Sequence, residues 1–447
     1  MKKGLPFLLL ILALWGCAER GQEKKQNLAF SSKQISQIIH RMTDVMVNDV
    51  TNPPLASRFF SYATLAGYEV VSQNDSSYHS MHGVLNQYPQ LHKPDSITGY
   101  SVELTALLAM METARKMQPS GALLDSLKTH FLDSCRQEGL SEDVIAASLA
   151  YAQQVSKGVL AYAKADKYNR ISNYARYTPT EGKGKWYPTP PGYFAPVEPY
   201  FSTIRSFTLD RSSQFKPVPP VVVSTEKASP FFQLLQHAYT TSKTLTQEQK
   251  EIAFFWDCNP FALQDNGHLQ AGLKKISPGA HWLGITGIAC AQAKTDFSKA
   301  LKVHTVVSLA LMDGFISCWD EKFRSNRIRP ETAIRQQLDP SFRPLLQTPP
   351  FPEYLSGHST ISSASAVILT HYFGDHFKYS DTVEERFGLP ARTFNSFQDA
   401  AIEAGVSRFY GGIHFMDAIE NGRTQGLQVG EWVLRKVEGG PQVLAKK

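Results

Sequence analysis

Three short segments of the chain carry side chains that suit the binding of a small oxyanion. They are residues 322–330 (KFRSNRIRP), 356–358 (SGH) and 407–414 (SRFYGGIH). An oxyanion such as phosphate needs fixed positive charge, backbone N–H groups that can approach closely, and one group able to attack or ligate its central atom. Together the three segments supply each of these.

Three cationic side chains stand in these segments. Lys322 offers a compact positive charge, whereas Arg329 and Arg408 offer planar guanidinium groups that hold two oxygens at once and stay charged at physiological pH. Lys322 and Arg329 are seven residues apart, so they would share one face of a helix, although Pro330 biases Arg329 towards the helix end. We expect all three cations to converge on one anion.

Backbone donors are expected around Gly357. Because glycine has no side chain, an oxyanion can approach its backbone closely. The run 359–372 predicts a helix that closes at Gly374. The N-terminus of that helix would direct free N–H groups and the positive end of its dipole at the anion.

The three segments resemble the superfamily that joins vanadium-dependent haloperoxidases and type 2 phosphatidic acid phosphatases. Its pattern is Lys-x6-Arg-Pro, then Pro-Ser-Gly-His, then Ser-Arg-x5-His. This chain has the first and third motifs at the same spacing, and Leu355 replaces the usual proline of the second. The resemblance extends over roughly residues 52–430, including a Trp followed by Pro-Thr-Pro-Pro-Gly within 186–192. It implies the all-α fold of that superfamily, built of packed helical bundles.

The resemblance implies roles for the two motif histidines. His414 would be the covalent ligand of vanadium in a peroxidase, or the nucleophile that attacks phosphorus in a phosphatase. His358 would be the acid–base group, since an imidazole titrates near neutrality. The groups implied to hold the oxygens of vanadate or phosphate are Lys322, Arg329, Ser356, Gly357 and Arg408.

Four more residues are possible members of the site. Trp319 and Phe351 stand at positions similar to aromatics beside the halide in chloroperoxidase-type enzymes, and ordinary core packing is the alternative. Asp417 lies three residues after His414, whereas the superfamily's usual aspartate lies four after, so its role in orienting that histidine stays open. Asp257 is similar to an acidic residue that supports the anion-binding arginine in some relatives, but a surface aspartate at a helix end is the favoured interpretation.

The N-terminus predicts export. A basic start and an apolar segment over residues 5–15, too short to span a membrane, are typical of a secretory signal. Its end resembles a bacterial lipobox, in which Cys17 would be lipidated; a plain signal peptide cut nearby is the alternative. We predict a lipoprotein signal peptide over 1–17 and a flexible tether over 18–30, which would place the protein on a membrane at the periplasm or cell surface.

The net charge and the hydropathy of the sequence limit the kinds of partner that the protein can have. The chain has 46 Lys and Arg against 40 Asp and Glu, and loss of Lys2 and Lys3 with the signal lowers the net charge from +6 to +4. This balance argues against a nucleic-acid partner. Beyond the signal we find no run of about 18 uninterrupted apolar residues. We therefore expect a soluble body held by lipid alone, unlike the integral-membrane lipid phosphatases of the superfamily.

The four cysteines beyond Cys17 are sparse and lack metal-site spacing, so buried free thiols are favoured over disulfides. They are Cys135, Cys258, Cys290 and Cys318.

Helical patterns dominate the rest of the chain. An N-terminal helical part over 31–180 and a C-terminal anion-binding part over 226–440 are predicted to pack as one unit, with a loop rich in Pro, Gly and aromatics over 181–225. Because its aromatics need burial, that stretch is interpreted as a long loop rather than a disordered linker, and it is expected to pack over the site mouth. Period-two alternation occurs only at 221–224, so the fold is predicted to be all-α. Helices are predicted at 34–48, 56–72, 101–117, 123–138, 141–166, 229–242, 246–256, 297–319, 359–372 and from 421. The run 297–319 is apolar on nearly every side, as in the central helix of a bundle.

Taken together, these features favour a vanadium-dependent haloperoxidase-like enzyme that oxidises halide with hydrogen peroxide at a vanadate bound by His414. The main alternative is a phosphatase, acting on phosphate esters or phosphatidic acid through a phosphohistidine, with phosphate in the same pocket. A non-enzymatic binding lipoprotein is a third possibility, but burying so many charges without an anion would be costly. The halide and the oligomeric state stay open at this point.

Overall fold

The computed structural model describes residues 29–265, 269–271 and 275–439. The predicted signal peptide 1–17, the lipidation site Cys17 and most of the predicted tether 18–30 lie outside these ranges. Within them the protein is helical, which confirms the all-α prediction. The β-sheets of the described residues are two antiparallel hairpins of two strands each.

The described residues form thirteen α-helices. In chain order they are α1 Ser32–Asn48, α2 Pro53–Asn74, α3 Val102–Met117, α4 Asp125–Gln137, α5 Glu142–Lys164, α6 Pro230–Lys243, α7 Gln247–Phe255, α8 Pro278–Gln292, α9 Phe297–Ser325, α10 Pro330–Gln337, α11 Gly357–Phe373, α12 Phe397–Tyr410 and α13 Met416–Glu438. Short 3-10 helices span Gly121–Leu124, Tyr168–Asn173, Phe201–Thr203 and Glu385–Phe387. The hairpins pair β1 Leu263–Asp265 with β2 Leu269–Ala271, and β3 Tyr379–Asp381 with β4 Arg392–Phe394.

Helix α9 lies at the centre of the protein, as predicted from its apolar sequence. It packs against α2, α8, α11 and α13, so both helical parts of the chain contact it. It is the one helix of the described ranges that is long and apolar enough to cross a membrane, but 94% of its apolar window is buried within the protein. That burial is the property of a core helix, and it gives Lys322 a rigid support near the helix end.

Small residues allow α13 to lie close to α11. A Cβ added at Gly426 would come within 2.1 Å of the Thr360 carbonyl oxygen, and one added at Gly422 within 2.9 Å of the Ser356 carbonyl oxygen. The backbones of the two helices therefore touch at these points. This contact fixes the start of α11, where Gly357 and His358 stand.

The structure corrects the expectation that Lys322 and Arg329 share one helix face. Helix α9 ends at Ser325, because Asn326 adopts a left-handed conformation with φ of 51°. Arg329 is then the N-cap residue of α10, whose first residue is Pro330. The two cations meet through a turn between two helices.

Several other elements differ from the sequence prediction. Helices α8, α10 and α12 were not predicted; α8 is buried along most of its length, so it lacks the polar face that reveals a helix. Residues 221–224, the expected strand-like run, have no regular secondary structure.

The loop over 181–225 is only partly buried. Trp186 and Phe207 are buried as expected, but Tyr193 is 63% exposed and Phe194 is 37% exposed, so the prediction that all its aromatics are covered was wrong. The loop is tied to the site region at Val197, whose N–H donates to the Pro350 carbonyl at 3.0 Å. It borders the cavity described below without lining it.

Candidate active site

A cavity of about 40 Å³ lies between the starts of α11 and α13 and the end of α12. This volume is room for about three water molecules or one small oxyanion. Five predicted site residues line it with the two predicted aromatics: Asp257, Trp319, Phe351, Gly357, His358, Arg408 and His414. Lys322, Arg329 and Ser356 are fully buried nearby. The structure thus brings all three sequence segments together.

The ring of His414 is held from both sides. Its Nδ1 lies 3.0 Å from a carboxylate oxygen of Glu353, and its Nε2 lies 3.1 Å from Nη1 of Arg329. Because a guanidinium only donates hydrogen bonds, Nε2 must be the accepting nitrogen and Nδ1 must carry the proton. Burial, followed by Arg329 and Lys322, lowers the pKa of His414 well below its ordinary value. His414 is therefore neutral, with its lone pair on Nε2.

Glu353 is the functional residue that the sequence interpretation missed. It is fully buried, and besides His414 it accepts a hydrogen bond from Nε of Arg327 at 2.6 Å. Asp417 in turn accepts two hydrogen bonds from Arg327, at 2.6 and 2.7 Å. Asp417 therefore supports His414 through two intervening side chains, and Glu353 is the direct partner. An acidic residue three positions before Ser356 was the available signal.

Lys322 is directed at the backbone. Its ammonium group donates to the carbonyl oxygens of Pro352 at 3.0 Å and Glu353 at 3.1 Å, and also to that of Leu355. Burial lowers its pKa to about 7. Lys322 thus fixes the segment that carries Glu353 and leads into Ser356, and an anion in the cavity would favour its charged form.

Arg329 retains an unused donor. Its Nε donates to the Phe351 carbonyl and its Nη1 to the Ile413 carbonyl, each at 2.8 Å. Its Nη2 is buried and has no hydrogen-bond partner among the described residues. Burial lowers the pKa of Arg329 to about 10, which still leaves it charged at neutral pH. One guanidinium N–H pair beside His414 is therefore available to an anion.

Arg408 is fixed from its own helix and from α7. Its Nε donates to Ser407 at 3.0 Å and its Nη2 to the Ala253 carbonyl at 3.0 Å. Asp257 lies 3.8 Å from Nη1, and it also pairs with Lys275 at 2.7 Å. The side chain of Asp257 is only 12% exposed. The favoured interpretation of Asp257 as a surface residue was wrong, since it stands beside the arginine.

The start of α11 supplies fewer free donors than expected. Ser356 caps this helix by accepting from the Ser359 N–H at 3.3 Å, and its own N–H donates to the Ala418 carbonyl at 3.0 Å. The Ser356 amide is therefore already used. Gly357 lines the cavity, and a Cβ there would lie 3.6 Å from Trp319, so glycine leaves this side open.

His358 also presents an unused nitrogen. Its ring hydrogen bonds to the backbone of Trp256, and its Nε2 is buried without a partner among the described residues. Burial, followed by Arg408 and His414, lowers its pKa well below the ordinary value. His358 is neutral in this arrangement, and an anion would raise its pKa by offsetting the nearby cations.

An aromatic wall faces these polar groups. The rings of Trp319 and Phe351 have centroids 5.0 Å apart, and the indole N–H of Trp319 donates to the Val197 carbonyl at 3.1 Å. The Lys322 ammonium lies 5.0 Å from the Phe351 ring. A weakly hydrated anion in the cavity would contact apolar surface on this side.

The residues present fit a bound oxyanion such as vanadate. Lys322, Arg329 and Arg408 are buried, whereas the buried carboxylate of Glu353 is shared with Arg327 and His414. Buried charges and unsatisfied buried donors are costly without a counter-ion. The unpartnered Nη2 of Arg329 is a donor that such an anion would engage. The unpartnered Nε2 of His358 is an acceptor in the neutral ring, and it becomes a donor when the ring is protonated.

Fold and site together define the class of helical proteins with a histidine-centred oxyanion site, and comparisons narrow this class. The family described as VCPO second helical-bundle domain matches residues 302–440. The chain is 41% identical to a solved structure described as the first bacterial vanadium-dependent iodoperoxidase, with a TM-score of 0.86, over 92% of this chain and 98% of that one. The chain belongs to the vanadium-dependent haloperoxidase family and is a haloperoxidase-like enzyme.

A more distant likeness shows the shared fold alone. A bacterial vanadium-dependent chloroperoxidase in its holo form is 16% identical, with a TM-score of 0.66, over 87% of this chain and 94% of that one. Its apo form is 15% identical, with a TM-score of 0.64. No curated protein matches the chain significantly.

Proposed function

We propose that this protein uses vanadate bound at His414 to oxidise iodide with hydrogen peroxide. The observation that carries the proposal is the geometry of His414, whose protonated Nδ1 is held by Glu353 and whose Nε2 lone pair lies among buried cations. The 41% identity to a bacterial iodoperoxidase supports the choice of iodide.

In this proposal vanadate supplies a Lewis-acidic centre that activates hydrogen peroxide towards attack by halide. The protein contributes charge and orientation. His414 offers Nε2 as the ligand atom, because Glu353 fixes the opposite nitrogen as a donor. Arg329 and Arg408 neutralise the oxygens of the anion, and the carbonyls that hold Lys322 keep the 352–355 segment in place.

His358 would move protons. His358 lines the cavity, its Nε2 has no partner among the described residues, and the hydrogen bond to the Trp256 backbone fixes the ring. A neutral Nε2 can take a proton from peroxide and return it to a leaving oxygen. The depressed pKa keeps the ring in its basic form before an anion is bound.

Trp319 and Phe351 would form the halide side of the cavity. Their faces and edges offer apolar, polarisable contact, and ring edges carry partial positive charge. A large, weakly hydrated halide loses little hydration by entering such a place. Iodide is therefore expected to be a better substrate than bromide, and bromide a better one than chloride.

One preparation can test this function in two forms, metal-free and vanadate-loaded. We expect the loaded enzyme to iodinate a phenolic dye in the presence of peroxide, and phosphate to suppress the reaction by displacing vanadate. His414→Ala, loaded in the same way, controls for oxidation by free vanadate. Hydrolysis of an aryl phosphate is measured beside it. If only hydrolysis occurred and vanadate merely inhibited it, the protein would be a phosphatase.

We further propose that the enzyme acts outside the cytoplasm, held to a membrane by lipid at Cys17. The support is the basic start, the short apolar segment and the cysteine that follows it. An exported enzyme would meet halide and peroxide from the surroundings.

A further inference from the structure

Three buried side chains with metal-ligating atoms meet beside the oxyanion cavity. They are Cys258, which follows α7, His281 on α8 and Glu384 after β3. Sγ of Cys258 lies 3.8 Å from Nδ1 of His281, and that nitrogen lies 3.1 Å from Oε1 of Glu384. All three atoms lie within 4.8 Å of one another. A thiol, an imidazole and a carboxylate from three separate elements therefore point at one place.

The imidazole of His281 is fixed in the orientation that a metal ligand needs. Its Nε2 lies 2.8 Å from a carboxylate oxygen of Asp381, and its ring stacks on Trp256 with centroids 4.5 Å apart. Histidines that ligate a metal usually donate their other ring N–H to a carboxylate in this way. Asp381 itself is held by the Val383 N–H at 3.0 Å, so the pair is rigid.

Glu384 supplies an independent sign that a ligand is expected. It is buried, and its Oε1 has no hydrogen bond of acceptable geometry from the described residues, although it lies next to the His281 ring. A buried carboxylate oxygen without a donor is costly. A cation between this oxygen, the thiol and the imidazole would remove that cost.

The distances match tetrahedral coordination. Zinc bonds of about 2.3 Å to sulfur and about 2.0 to 2.1 Å to nitrogen and oxygen place tetrahedral S and N ligands about 3.6 Å apart and N and O ligands about 3.3 Å apart. The observed separations are 3.8 and 3.1 Å. A mixed sulfur, nitrogen and oxygen set favours zinc over the hard cations calcium and magnesium.

We propose that Cys258, His281 and Glu384 bind one zinc ion, with Asp381 as the partner that orients His281. The site adjoins the oxyanion cavity, because Cys258 also lines that cavity. The Cys258 thiol releases its proton when it binds the ion.

This site has no local sequence signature, since its ligands are 23 and 103 residues apart. Cys258 was predicted to be a buried free thiol, and in the structure it is one. Only the packing of α8 against the loop after α7 and the β3 hairpin brings the three ligands together.

Metal binding can be measured on the full protein without vanadate, so the result does not depend on the proposed peroxidase activity. The protein is stripped with a chelator, dialysed and titrated with zinc ions, followed by elemental analysis. We expect one zinc per chain and a rise in the unfolding temperature. Titration with cobalt ions should give the near-ultraviolet absorption of a thiolate ligand.

Four variants sharpen this test. Cys258→Ala should lose both the zinc and the thiolate absorption, and His281→Gln should lose the zinc. Asp381→Asn should keep the one-to-one ratio but bind zinc about 10- to 100-fold more weakly, because it only orients a ligand. Cys290→Ala removes another buried thiol, on the same helix as His281, and should bind like the wild type.

The wild-type experiments decide the matter even if a variant fails to fold. Absence of stoichiometric zinc, or of thiolate absorption with cobalt, would overturn the proposal. So would zinc binding that survives in a folded Cys258→Ala protein, because the metal would then lie elsewhere.

Discussion

One carboxylate oxygen of Glu353 lies 3.0 Å from Nδ1 of His414 and 2.9 Å from the backbone nitrogen of Phe415. It therefore fixes both the tautomer of the ring and the chain that leads into α13. The other oxygen binds Arg327, which also binds Asp417. His414, the residue that would bind the anion, is thus held by a series of alternating charges rather than by a single partner.

This series of charges predicts that vanadate affinity falls less when the mutated residue lies further from His414. Glu353→Gln keeps the size of the side chain but removes the charge that holds Nδ1 protonated, so vanadate affinity should fall about 10- to 100-fold. Asp417→Asn changes a residue two contacts further away and should have a smaller effect. Titration calorimetry with vanadate compares the two. Equal losses in both variants would show that Asp417 orients His414 as directly as Glu353 does.

The two cavity histidines should separate binding from chemistry. His414→Ala removes the ligand atom, so tight vanadate retention and turnover should both disappear. His358→Ala should retain vanadate but slow turnover about 100- to 10,000-fold, the usual contribution of a general acid–base group. Binding is measured by calorimetry and turnover by halide oxidation. Vanadate binding by His414→Ala as tight as in the wild type would contradict the assignment.

The sequence was most informative where residue type alone sets the chemistry. The anion-binding segments were identified because lysine, arginine and histidine at these fixed spacings are the side chains that an oxyanion site requires. Glu353 and Arg327 were missed because their roles depend on a fold that places residue 353 beside residue 414. Likewise, Asp257 and Arg408 become neighbours only when α7 packs against α12.

Most helices were predicted from an amphipathic pattern, and α9 was predicted from its long apolar run. Helices α1 to α7 matched their predicted positions closely, and α9 ends at Ser325 rather than at residue 319. Helix α8 was not predicted, because it is buried along most of its length and has no amphipathic period. The turn after α9 was not predicted. An asparagine in the left-handed conformation ends that helix, and the apolar pattern does not indicate this position.

The N-terminal prediction can be tested in cells. A lipobox cysteine should carry several acyl chains, which anchor a protein stably where one chain does not. Labelling with a fatty acid should mark the wild type and leave Cys17→Ser unmarked, and that variant should leave the membrane fraction. A Cys135→Ser variant controls for labelling at another cysteine. Equal labelling of wild type and Cys17→Ser would contradict lipidation at this residue.

The contact between α11 and α13 predicts a large effect of adding one methyl group. Gly426→Ala would force a Cβ against the Thr360 carbonyl, so the helices must separate, at a cost of about 1 to 3 kcal/mol in unfolding free energy. Gly279→Ala on α8 is the matched control, because its added Cβ would make ordinary contacts at 3.5 Å or more. That variant should be neutral or slightly stabilising. Denaturant unfolding distinguishes the two, and equal stabilities would rule out the proposed steric contact.

His304 predicts how stability depends on pH. It is fully buried on α9, its Nδ1 bonds the Ala300 carbonyl at 2.8 Å, and burial lowers its pKa to about 4. Above about pH 6.5 the ring is neutral in both the folded and the unfolded chain, so it causes no pH dependence there. As the pH falls below that value, the ring takes up a proton in the unfolded chain but not in the folded protein, and this difference favours unfolding. The loss grows to about 3 kcal/mol by about pH 4.

His304→Gln stays neutral at every pH and should therefore remove this part of the pH dependence, whatever its stability at neutral pH. The measurement is the difference in unfolding free energy between wild type and variant, followed from about pH 7 down to about pH 4.5, and this difference should shift by about 2 to 3 kcal/mol in favour of the variant. His92→Gln, at an exposed position, is the control and should show no comparable shift. A difference that stayed constant with pH would mean that the buried ring of His304 accepts a proton in the folded protein as readily as in the unfolded chain.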